Sequence, residues 1–332
     1  AVELGALWCT LTGGEPLLRP DFQEIYLGFK RLGLLVSVYT NATLVREEHI
    51  ALFRKYPPRD IEVTVYGATA GTYERITRRQ GSYARFRHGL AMLLENGIKV
   101  RLKTMALRSN LQELPEIARF CRERTKDFYR FDPFLNLRTD RDPERNREIV
   151  AERLLPEEIA FCERGDAERQ GALEKRCDRL IEPLREDFSY EVCLACSRQD
   201  RCELFLRLSR RLICGAGLAS FFVAHDGAFR LCASLCAPGT TYDLRQGTLR
   251  QAWEEFVPSV RESKAKSAQL LNSCRSCPIV NLCFNCPATA DLECGDPEAV
   301  IPYFCSVAKA RRANLDGASK KAQANPVPAQ KG

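Results

Sequence analysis

The stretch that decides the class of this chain lies between residues 274 and 286. It reads Cys274-Arg-Ser-Cys277-Pro-Ile-Val-Asn-Leu-Cys283-Phe-Asn-Cys286. The chain has 332 residues and 16 cysteines, of which four precede residue 178. The remaining thiols are Cys193, Cys196, Cys202, Cys214, Cys232, Cys236, Cys294 and Cys305. Such a concentration of cysteine requires an explanation by disulfides, zinc or iron–sulfur clusters.

The spacing of the run separates these three explanations. Dense disulfide frameworks are typical of small secreted domains, but this chain is long and its start does not read as a signal peptide. Zinc ribbons separate two C-x2-C pairs by roughly 15–20 residues, whereas five residues separate Cys277 from Cys283. Iron–sulfur clusters use tightly spaced thiolates, often with one distant ligand. The run therefore favours an iron–sulfur cluster, with zinc as the alternative.

The composition is that of a soluble globular protein, with 45% hydrophobic and 28% charged residues. Its length predicts two domains. No apolar run reaches 18 residues, so we expect no membrane span. Many thiols without a secretory signal indicate a cytoplasmic protein. The net charge of +7 is mild and forms no basic stripe with aromatic residues, so we expect no nucleic-acid partner.

The first 136 residues alternate between strand and helix character. Strands are predicted at Leu7–Leu11, Leu34–Tyr39, Ile61–Tyr66, Val100–Leu107 and Tyr129–Asn136. Helices are predicted at Asp21–Leu32, Arg46–Tyr56, Tyr83–Asn96 and Leu111–Arg124. This alternation predicts β-α units on a parallel sheet, in which ligands bind beyond the carboxyl ends of the strands. The residues expected there are Gly13–Pro16, Thr40, Asn41, Gly67, Ser109 and Asn110.

The rest of the chain divides by composition. Residues 137–192 are dense in charge and predict a linker of solvated helices. In the cysteine-rich domain at 193–310, Asp226-Gly227 between two apolar runs predicts a β-hairpin. The run Cys193-x2-Cys196-x5-Cys202 repeats the spacing found at Cys274, which indicates either a second cluster-binding loop or a coincidence. The polar, lysine-bearing end at 311–332 predicts a disordered tail.

Four groups of residues resemble the motifs of one enzyme family. Three of them lie at the ends of predicted strands: Gly13-Gly14-Glu15-Pro16, Thr40-Asn41-Ala42-Thr43, and Thr64-Val-Tyr-Gly67 followed by Arg78 and Gly81-Ser82. The fourth is the series Cys214, Gly227-x4-Cys232, Cys274-x2-Cys277-x5-Cys283-x2-Cys286 and Cys305. Together they resemble the radical S-adenosylmethionine (radical SAM) enzymes with a C-terminal SPASM extension, whose pattern has x3 rather than x2 before the sixth cysteine. The resemblance implies an α/β fold: a partial (βα)6-type barrel core at residues 1–136, lacking its first strand, plus a small irregular cysteine-rich C-terminal domain.

The same resemblance implies the cofactor and metal sites. S-adenosyl-L-methionine would bind at Gly13, Gly14, Glu15, Pro16, Thr40, Asn41, Thr64 and Arg78. An outer [4Fe–4S] cluster would be held by Cys274, Cys277, Cys283 and Cys305. An inner cluster would be held by Cys214, Cys232 and Cys286, with a fourth ligand from Cys193, Cys196 or Cys202, or with one position left open. The family's C-x3-C-x2-C loop, which holds the catalytic cluster, is not in this sequence. The resemblance therefore implies a fragment that would not by itself cleave S-adenosylmethionine.

For function, the resemblance implies an oxidoreductase that uses a 5′-deoxyadenosyl radical to modify a substrate. The SPASM-like series favours a ribosomally made peptide as that substrate, while a sulfatase-maturing or quinone-cofactor-type enzyme fits the same features. The implied partners are a peptide or protein substrate and a reducing electron donor such as flavodoxin or ferredoxin. The alternative class is a non-enzymatic scaffold or electron-transfer module that is stapled by clusters or zinc.

Overall fold

Residues 1–127, 129–177, 209–275 and 277–324 are described by a computed structural model of the chain. They fall into two units, one of residues 1–135 with 150–154 and the other of residues 136–149 with 155 onward. Among the helices in those ranges, none combines the length and the apolarity that a membrane span requires.

A five-stranded parallel sheet forms the centre of the first unit. Its strands, in the same order in space and in sequence, are β1 (Trp8–Leu11), β2 (Leu35–Thr40), β3 (Asp60–Thr64), β4 (Val100–Met105) and β5 (Arg130–Asp132). Leu11 pairs with Val38 and Thr40 pairs with Val63, so the carboxyl ends of neighbouring strands lie side by side. The predicted α/β class with parallel β-α units is confirmed.

Five α-helices lie between these strands in sequence. They are α1 (Phe22–Arg31), α2 (Glu47–Lys55), α3 (Ala70–Thr77), α4 (Ser82–Glu95) and α5 (Leu114–Arg124). Helix α3 is not evident from the sequence, because its eight residues offer only Tyr73 and Ile76 as large apolar side chains. It begins at Thr69, whose hydroxyl accepts a hydrogen bond from the Thr72 amide. Tyr73 is fully buried and stacks on Phe86 of α4, with 4.9 Å between the two ring centroids. This contact packs the short helix against the core.

The second unit contains a small antiparallel sheet. Its strands are β6 (Phe222–Val223), β7 (Ala228–Arg230) and β8 (Thr241–Asp243). The turn between β6 and β7 has Gly227 at φ 84°, and Asp226 Oδ1 accepts a hydrogen bond from the Ala228 amide at 3.1 Å. The predicted hairpin is thus confirmed, and β8 adds a third strand to it. Phe229 on β7 is fully buried in the local core.

The remaining helices lie before, within and at the end of the cysteine-rich segment of the sequence. They are α6 (Pro143–Glu152), α7 (Pro156–Arg164), α8 (Ala167–Cys177), α9 (Leu249–Gln251), α10 (Val257–Arg261), α11 (Pro287–Cys294) and α12 (Pro302–Ala324). The segment predicted as a solvated linker differs from that expectation. Within it, residues 137–149 and 155–177 group with the second unit, and α7 buries Ile159, Ala160 and Glu163.

The predicted disordered tail is wrong for residues 311–324, which belong to α12. Arg311 on this helix is only 2% exposed, and its guanidinium binds the carboxylate of Glu163. The polar composition is misleading here because the partner of Arg311 lies 148 residues away in sequence. Residues 325–332 lie outside the described residues.

We predict that Gly89→Ala will destabilise the first unit. Gly89 lies on α4, and a Cβ there would meet the backbone oxygen of Ala42 at 2.0 Å, so the turn after β2 would have to move. The expected cost is about 3 kcal/mol, at the upper end for overpacking, measured by urea unfolding. Gly28→Ala on α1 is the matched control, because a Cβ there meets nothing within 4 Å. It should stabilise the protein by about 0.5–1 kcal/mol. Equal effects of both substitutions would contradict this packing.

Candidate cofactor and metal sites

A buried carboxylate joins the loops that follow β1 and β2. Glu15 is 9% exposed, and its Oε1 accepts hydrogen bonds from the Thr40 hydroxyl at 2.7 Å and the Leu17 amide at 3.1 Å. Its Oε2 accepts a hydrogen bond from the Asn41 amide at 2.7 Å. Hydrogen bonds to a charged acceptor are stronger than neutral ones, so Glu15 fixes the Gly13–Pro16 loop against the Thr40-Asn41 turn.

The two glycines of this loop leave open space beside their backbone. Gly13 has φ 142°, a conformation that L side chains rarely adopt, so its own backbone requires glycine. Gly14 has no such positive φ, and a Cβ there would meet no atom within 4 Å. The packing of the described residues therefore does not demand glycine at position 14.

The turn after β2 is held by its own polar side chains. The Asn41 side-chain oxygen accepts hydrogen bonds from the Thr43 amide at 2.9 Å and the Thr43 hydroxyl at 2.6 Å. Ala42 has φ 61°, in the left-handed region that favours glycine. Glycine is the residue that the family motif has at this position, so Ala42 keeps the conformation of the motif without its residue type.

Thr64 ends β3, and its side chain is hydrogen-bonded to Tyr66. Tyr66 also interacts electrostatically with Glu15. Burial raises the pKa of the Tyr66 phenol, the negative charge of Glu15 raises it further, and a hydrogen bond with the Thr64 side chain lowers it. The structure thus brings Glu15, Thr40, Asn41 and Thr64 together at one edge of the sheet. Arg78 lies at the C-terminal end of α3 with φ 53°, and its place beside a cofactor carboxylate stays a prediction.

Two polar residues that support this edge are Asn110 and Glu113. Asn110 is 1% exposed, and its amide nitrogen donates to the carbonyl oxygens of Tyr66 at 2.9 Å and Met105 at 3.0 Å. The sequence singles out Asn110 as a strand-end residue. Glu113 accepts hydrogen bonds from the Ala68 and Thr69 amides and from the hydroxyls of Thr69 and Thr72. No local pattern marks Glu113, because its partners lie 41 to 45 residues away.

Four thiols of the second unit form one electrostatically coupled group, which we call the outer thiol set: Cys274, Cys277, Cys283 and Cys305. Burial raises the pKa of Cys283, the Asn285 amide opposes that shift, and thiolates at the other three positions add to it. Burial also raises the pKa of Cys274, and Cys305 and Cys277 raise it further. These are the four residues that the resemblance assigns to one cluster.

A second group, the inner thiol set, consists of Cys214, Cys232 and Cys286. Burial raises the pKa of Cys232, the Ser234 and Leu235 amides lower it, and thiolates at Cys286 and Cys214 raise it again. The thiols that act on Cys283 and on Cys232 are those that the resemblance places with each of them, and the division into two ligand sets stays a prediction. The candidates for a fourth inner ligand, Cys193, Cys196 and Cys202, lie outside the described residues.

Backbone amides point at two of these sulfurs. The Asn285 amide donates to Cys283 Sγ at 3.4 Å, and the Thr289 amide donates to Cys286 Sγ at 3.4 Å. Cys286 stands at the N-terminal end of α11, where helical amides favour negative charge. Hydrogen bonds to sulfur are among the features that tune iron–sulfur clusters, so both positions fit the role of thiolate ligands.

Arg275 interacts electrostatically with both thiol sets. Burial lowers the pKa of its guanidinium, and thiolates at Cys274 and Cys214 oppose this shift. The side chain is held by two carbonyl oxygens, those of Arg210 and Arg211, each at 3.1 Å. A cation that faces one thiol of each set partly offsets the negative charge that the thiolates accumulate.

The spacing of the thiol donors bears on the kind of metal. In the parts of the chain that the structure describes, no three His, Cys, Asp or Glu side chains are grouped closely enough to hold a single metal ion. Zinc at about 2.3 Å from each sulfur places its thiolates roughly 3.8 Å apart. A four-iron cluster binds each thiolate at a different iron, which separates the ligands more widely. The preference for a cluster over zinc stays a prediction from the sequence.

The scattered cysteines have the character of inert thiols. Burial raises the pKa of Cys121 to about 12 and also raises the pKa values of Cys9 and Cys162. Thiols with raised pKa values carry little thiolate at neutral pH and are poor nucleophiles.

Comparison with known proteins agrees with this reading of the first unit. Residues 2–121 match the model of the radical SAM superfamily. PqqA peptide cyclase of Gluconobacter oxydans (strain 621H) is 29% identical over 123 residues, which cover 37% of this chain and 34% of that protein. AdoMet-dependent heme synthase of Methanosarcina barkeri is 30% identical over 113 residues, which cover 34% of this chain and 32% of that protein. The chain thus matches about a third of the length of each relative.

A solved structure extends the likeness of fold to nearly the whole chain. The structure of anSMEcpe with bound AdoMet superimposes with a TM-score of 0.58 over 98% of this chain and 83% of that one, at 13% sequence identity. Through residues 2–121, the chain is thus similar to the radical SAM superfamily.

We predict that Glu15→Gln will loosen the junction between the two loops. Glutamine keeps one acceptor oxygen and turns an NH2 group toward donors that Glu15 now accepts from. The expected loss of stability is about 1–3 kcal/mol, measured by urea unfolding, with faster hydrogen–deuterium exchange in residues 38–44. Glu24→Gln, on the exposed face of α1, is the control and should change neither quantity. Unchanged exchange in Glu15→Gln would contradict the role of Glu15 as a clamp.

Proposed function

We propose that this chain is part of a radical SAM enzyme of the SPASM type that modifies a peptide, and that its thiol sets hold two auxiliary iron–sulfur clusters. The observation that carries the proposal is that seven thiols form a set of four and a set of three. The same chain has a parallel-sheet fold whose strand-end loops carry the family motifs. When bound together, a reduced [4Fe–4S] cluster and S-adenosylmethionine supply a 5′-deoxyadenosyl radical that abstracts hydrogen from a substrate.

The residues of the first unit have separate roles in this proposal. The backbone at Gly13 and Gly14 offers polar groups to the methionine end of the cofactor, and a Cβ at either position would meet no described atom within 4 Å. Glu15 does not act as an acid, because its two oxygens are occupied by three donors; it holds the loop in place. Thr64 offers its hydroxyl at the same edge, and Arg78 provides the cation for the cofactor carboxylate.

The thiol sets account for the metal sites. Cys274, Cys277, Cys283 and Cys305 supply a complete set of four thiolates, the number that a [4Fe–4S] cluster requires. The inner set supplies three, and its fourth position is taken by Cys193, Cys196 or Cys202 or is left open. Electrons reach the enzyme from a reducing donor such as flavodoxin or ferredoxin.

A charged group on the sheet supports a polar substrate. Glu62 on β3 is 1% exposed in its side chain, and its Oε1 lies 2.9 Å from Lys103 Nζ and 3.2 Å from Arg130 Nη2. Lys103 Nζ also lies 5.3 Å from the centre of the Tyr39 ring. Glu62 precedes Thr64 by two residues, so both side chains are on the same face of β3. Glu62 itself is buried, so the part of this group that a peptide carboxylate would meet is the exposed portion of Lys103 and Arg130, 17% and 37% of their side chains.

We predict the iron content from the thiol sets. After anaerobic reconstitution, the chain should hold about eight irons with matching sulfide, and Cys283→Ala and Cys286→Ala should each remove about four. Cys294→Ala is the control, because this thiol is exposed on α11 and belongs to neither set. Iron and acid-labile sulfide are assayed together with zinc. One or two zinc ions with little iron would contradict the cluster assignment and favour a zinc-stapled scaffold.

The catalytic part of the proposal is tested in protein that joins this chain to a C-x3-C-x2-C loop. With dithionite and S-adenosylmethionine it should form 5′-deoxyadenosine, and a deuterated precursor peptide encoded beside the gene should transfer deuterium to that product. Transfer from a porphyrin instead of the peptide would overturn the peptide assignment. A protein that holds iron–sulfur clusters but forms no 5′-deoxyadenosine would favour the electron-transfer module.

A further inference from the structure

We propose that the buried ion pair between Glu163 and Arg311 is a positioning device that holds Cys283 and Cys305 of the outer thiol set in register. The inference rests on the proposed function, because it concerns the cluster that this set would hold. It assigns a role to α7, which the sequence presents as part of a charged linker.

The pair is buried and fully oriented. The side chains of Arg311 and Glu163 are 1% and 0% exposed. Arg311 Nε lies 2.8 Å from Glu163 Oε2, and Arg311 Nη2 lies 2.6 Å from Oε1, which is the bidentate geometry of a strong charge-assisted pair. Arg169 stands 3.6 Å from the same carboxylate and adds a second positive charge.

The third donor of Arg311 reaches the thiol loop itself. Arg311 Nη1 donates to the carbonyl oxygen of Leu282 at 2.7 Å, and the guanidinium lies 5.4 Å from the centre of the Phe284 ring. Leu282 and Phe284 are the residues immediately before and after Cys283. Arg311 therefore contacts the chain on both sides of this thiol.

The same helix carries the other thiol. Cys305 lies in the first turn of α12, six residues before Arg311, so a rigid helix separates the two. Leu282 is fully buried and packs with Ala308 and Leu315 of α12, with Cys283 at the edge of that cluster. The ion pair and this packing fix the distance between a loop thiol and a helix thiol that are distant in sequence.

Stability alone does not explain the pair. Replacing a buried ion pair by well-packed apolar residues is often neutral or stabilising. An apolar pair, however, has no donor for the Leu282 carbonyl and no cation over Phe284. What the charged pair adds is a defined position for the residues that flank Cys283.

The test compares Arg311→Lys with Arg312→Lys in the reconstituted chain. Lysine keeps the charge, but one ammonium group cannot serve both carboxylate oxygens and the Leu282 carbonyl. Arg312, the next residue on the helix, makes an exposed pair with Asp316 at 2.9 Å and is the matched control. The readout is the rate at which iron is released to a chelator. The kinetic phase that is absent in Cys277→Ala is assigned to the outer cluster. Arg311→Lys should speed that phase about tenfold and leave the inner phase unchanged, and Arg312→Lys should change neither.

A second variant and a metal-free measurement separate positioning from folding. The double substitution of Arg311→Met with Glu163→Leu removes both charges, and its circular dichroism should remain that of a folded chain. In metal-free protein, residues 280–286 should exchange hydrogen faster in this variant and in Arg311→Lys than in Arg312→Lys. A parent chain that binds no iron would overturn both this inference and the proposed function. A parent with about eight irons, together with unchanged iron release and unchanged exchange in both Arg311 variants, would overturn this inference alone.

Discussion

A buried carboxylate must receive hydrogen bonds or positive charge on both of its oxygens, and this requirement shapes the loops of both units. Glu15 binds the turn after β2, and the half-buried Glu113 binds the turn before α3 in the same way. Glu298 accepts hydrogen bonds from the Lys266 and Ser267 amides at 2.6 Å each. In each case the acid reaches a segment that follows or precedes it by many residues. The segments with irregular backbone therefore gain fixed positions without regular secondary structure.

The thiol sets present the opposite electrostatic problem, since each gathers groups that become negative together. The raised pKa values of Cys274, Cys283 and Cys232 show that close thiolates and burial oppose deprotonation in the protein alone. Amide donors at two sulfurs and the guanidinium of Arg275 relieve part of this cost. The rest of the electrostatic cost of deprotonation would be offset by the positive charge of iron in the proposed clusters.

Local patterns predict the parts of the fold that depend on near neighbours. The five strands follow from short apolar runs, and the hairpin at Gly227 follows from its Asp-Gly turn. The predicted grouping of the thiols follows from the family pattern rather than from spacing, because that pattern places Cys286 with Cys232 although Cys286 is close to Cys283 in sequence. Long-range partners escape such reasoning. The sequence places Arg311 in a solvated tail, because its partner Glu163 lies on α7, 148 residues away.

The same limit applies within the candidate cofactor edge. Gly13, Thr40 and Thr64 are found because they follow strands and resemble known motifs. Tyr66 and Glu113 carry no such mark, since their roles arise from packing against α3 and from hydrogen bonds to it. Sequence thus locates the edge where a ligand would sit, whereas the residues that hold this edge rigid become visible only in three dimensions.

The placement of Cys305 on α12 has a consequence for synthesis of the chain. It is the last of the outer thiols in sequence, so the outer set has only three members from the synthesis of Cys283 until that of Cys305. A ribosome covers the most recent residues of a growing chain, which delays α12 still further. Assembly of a complete outer site therefore follows translation of Cys305 and of the helix that carries it.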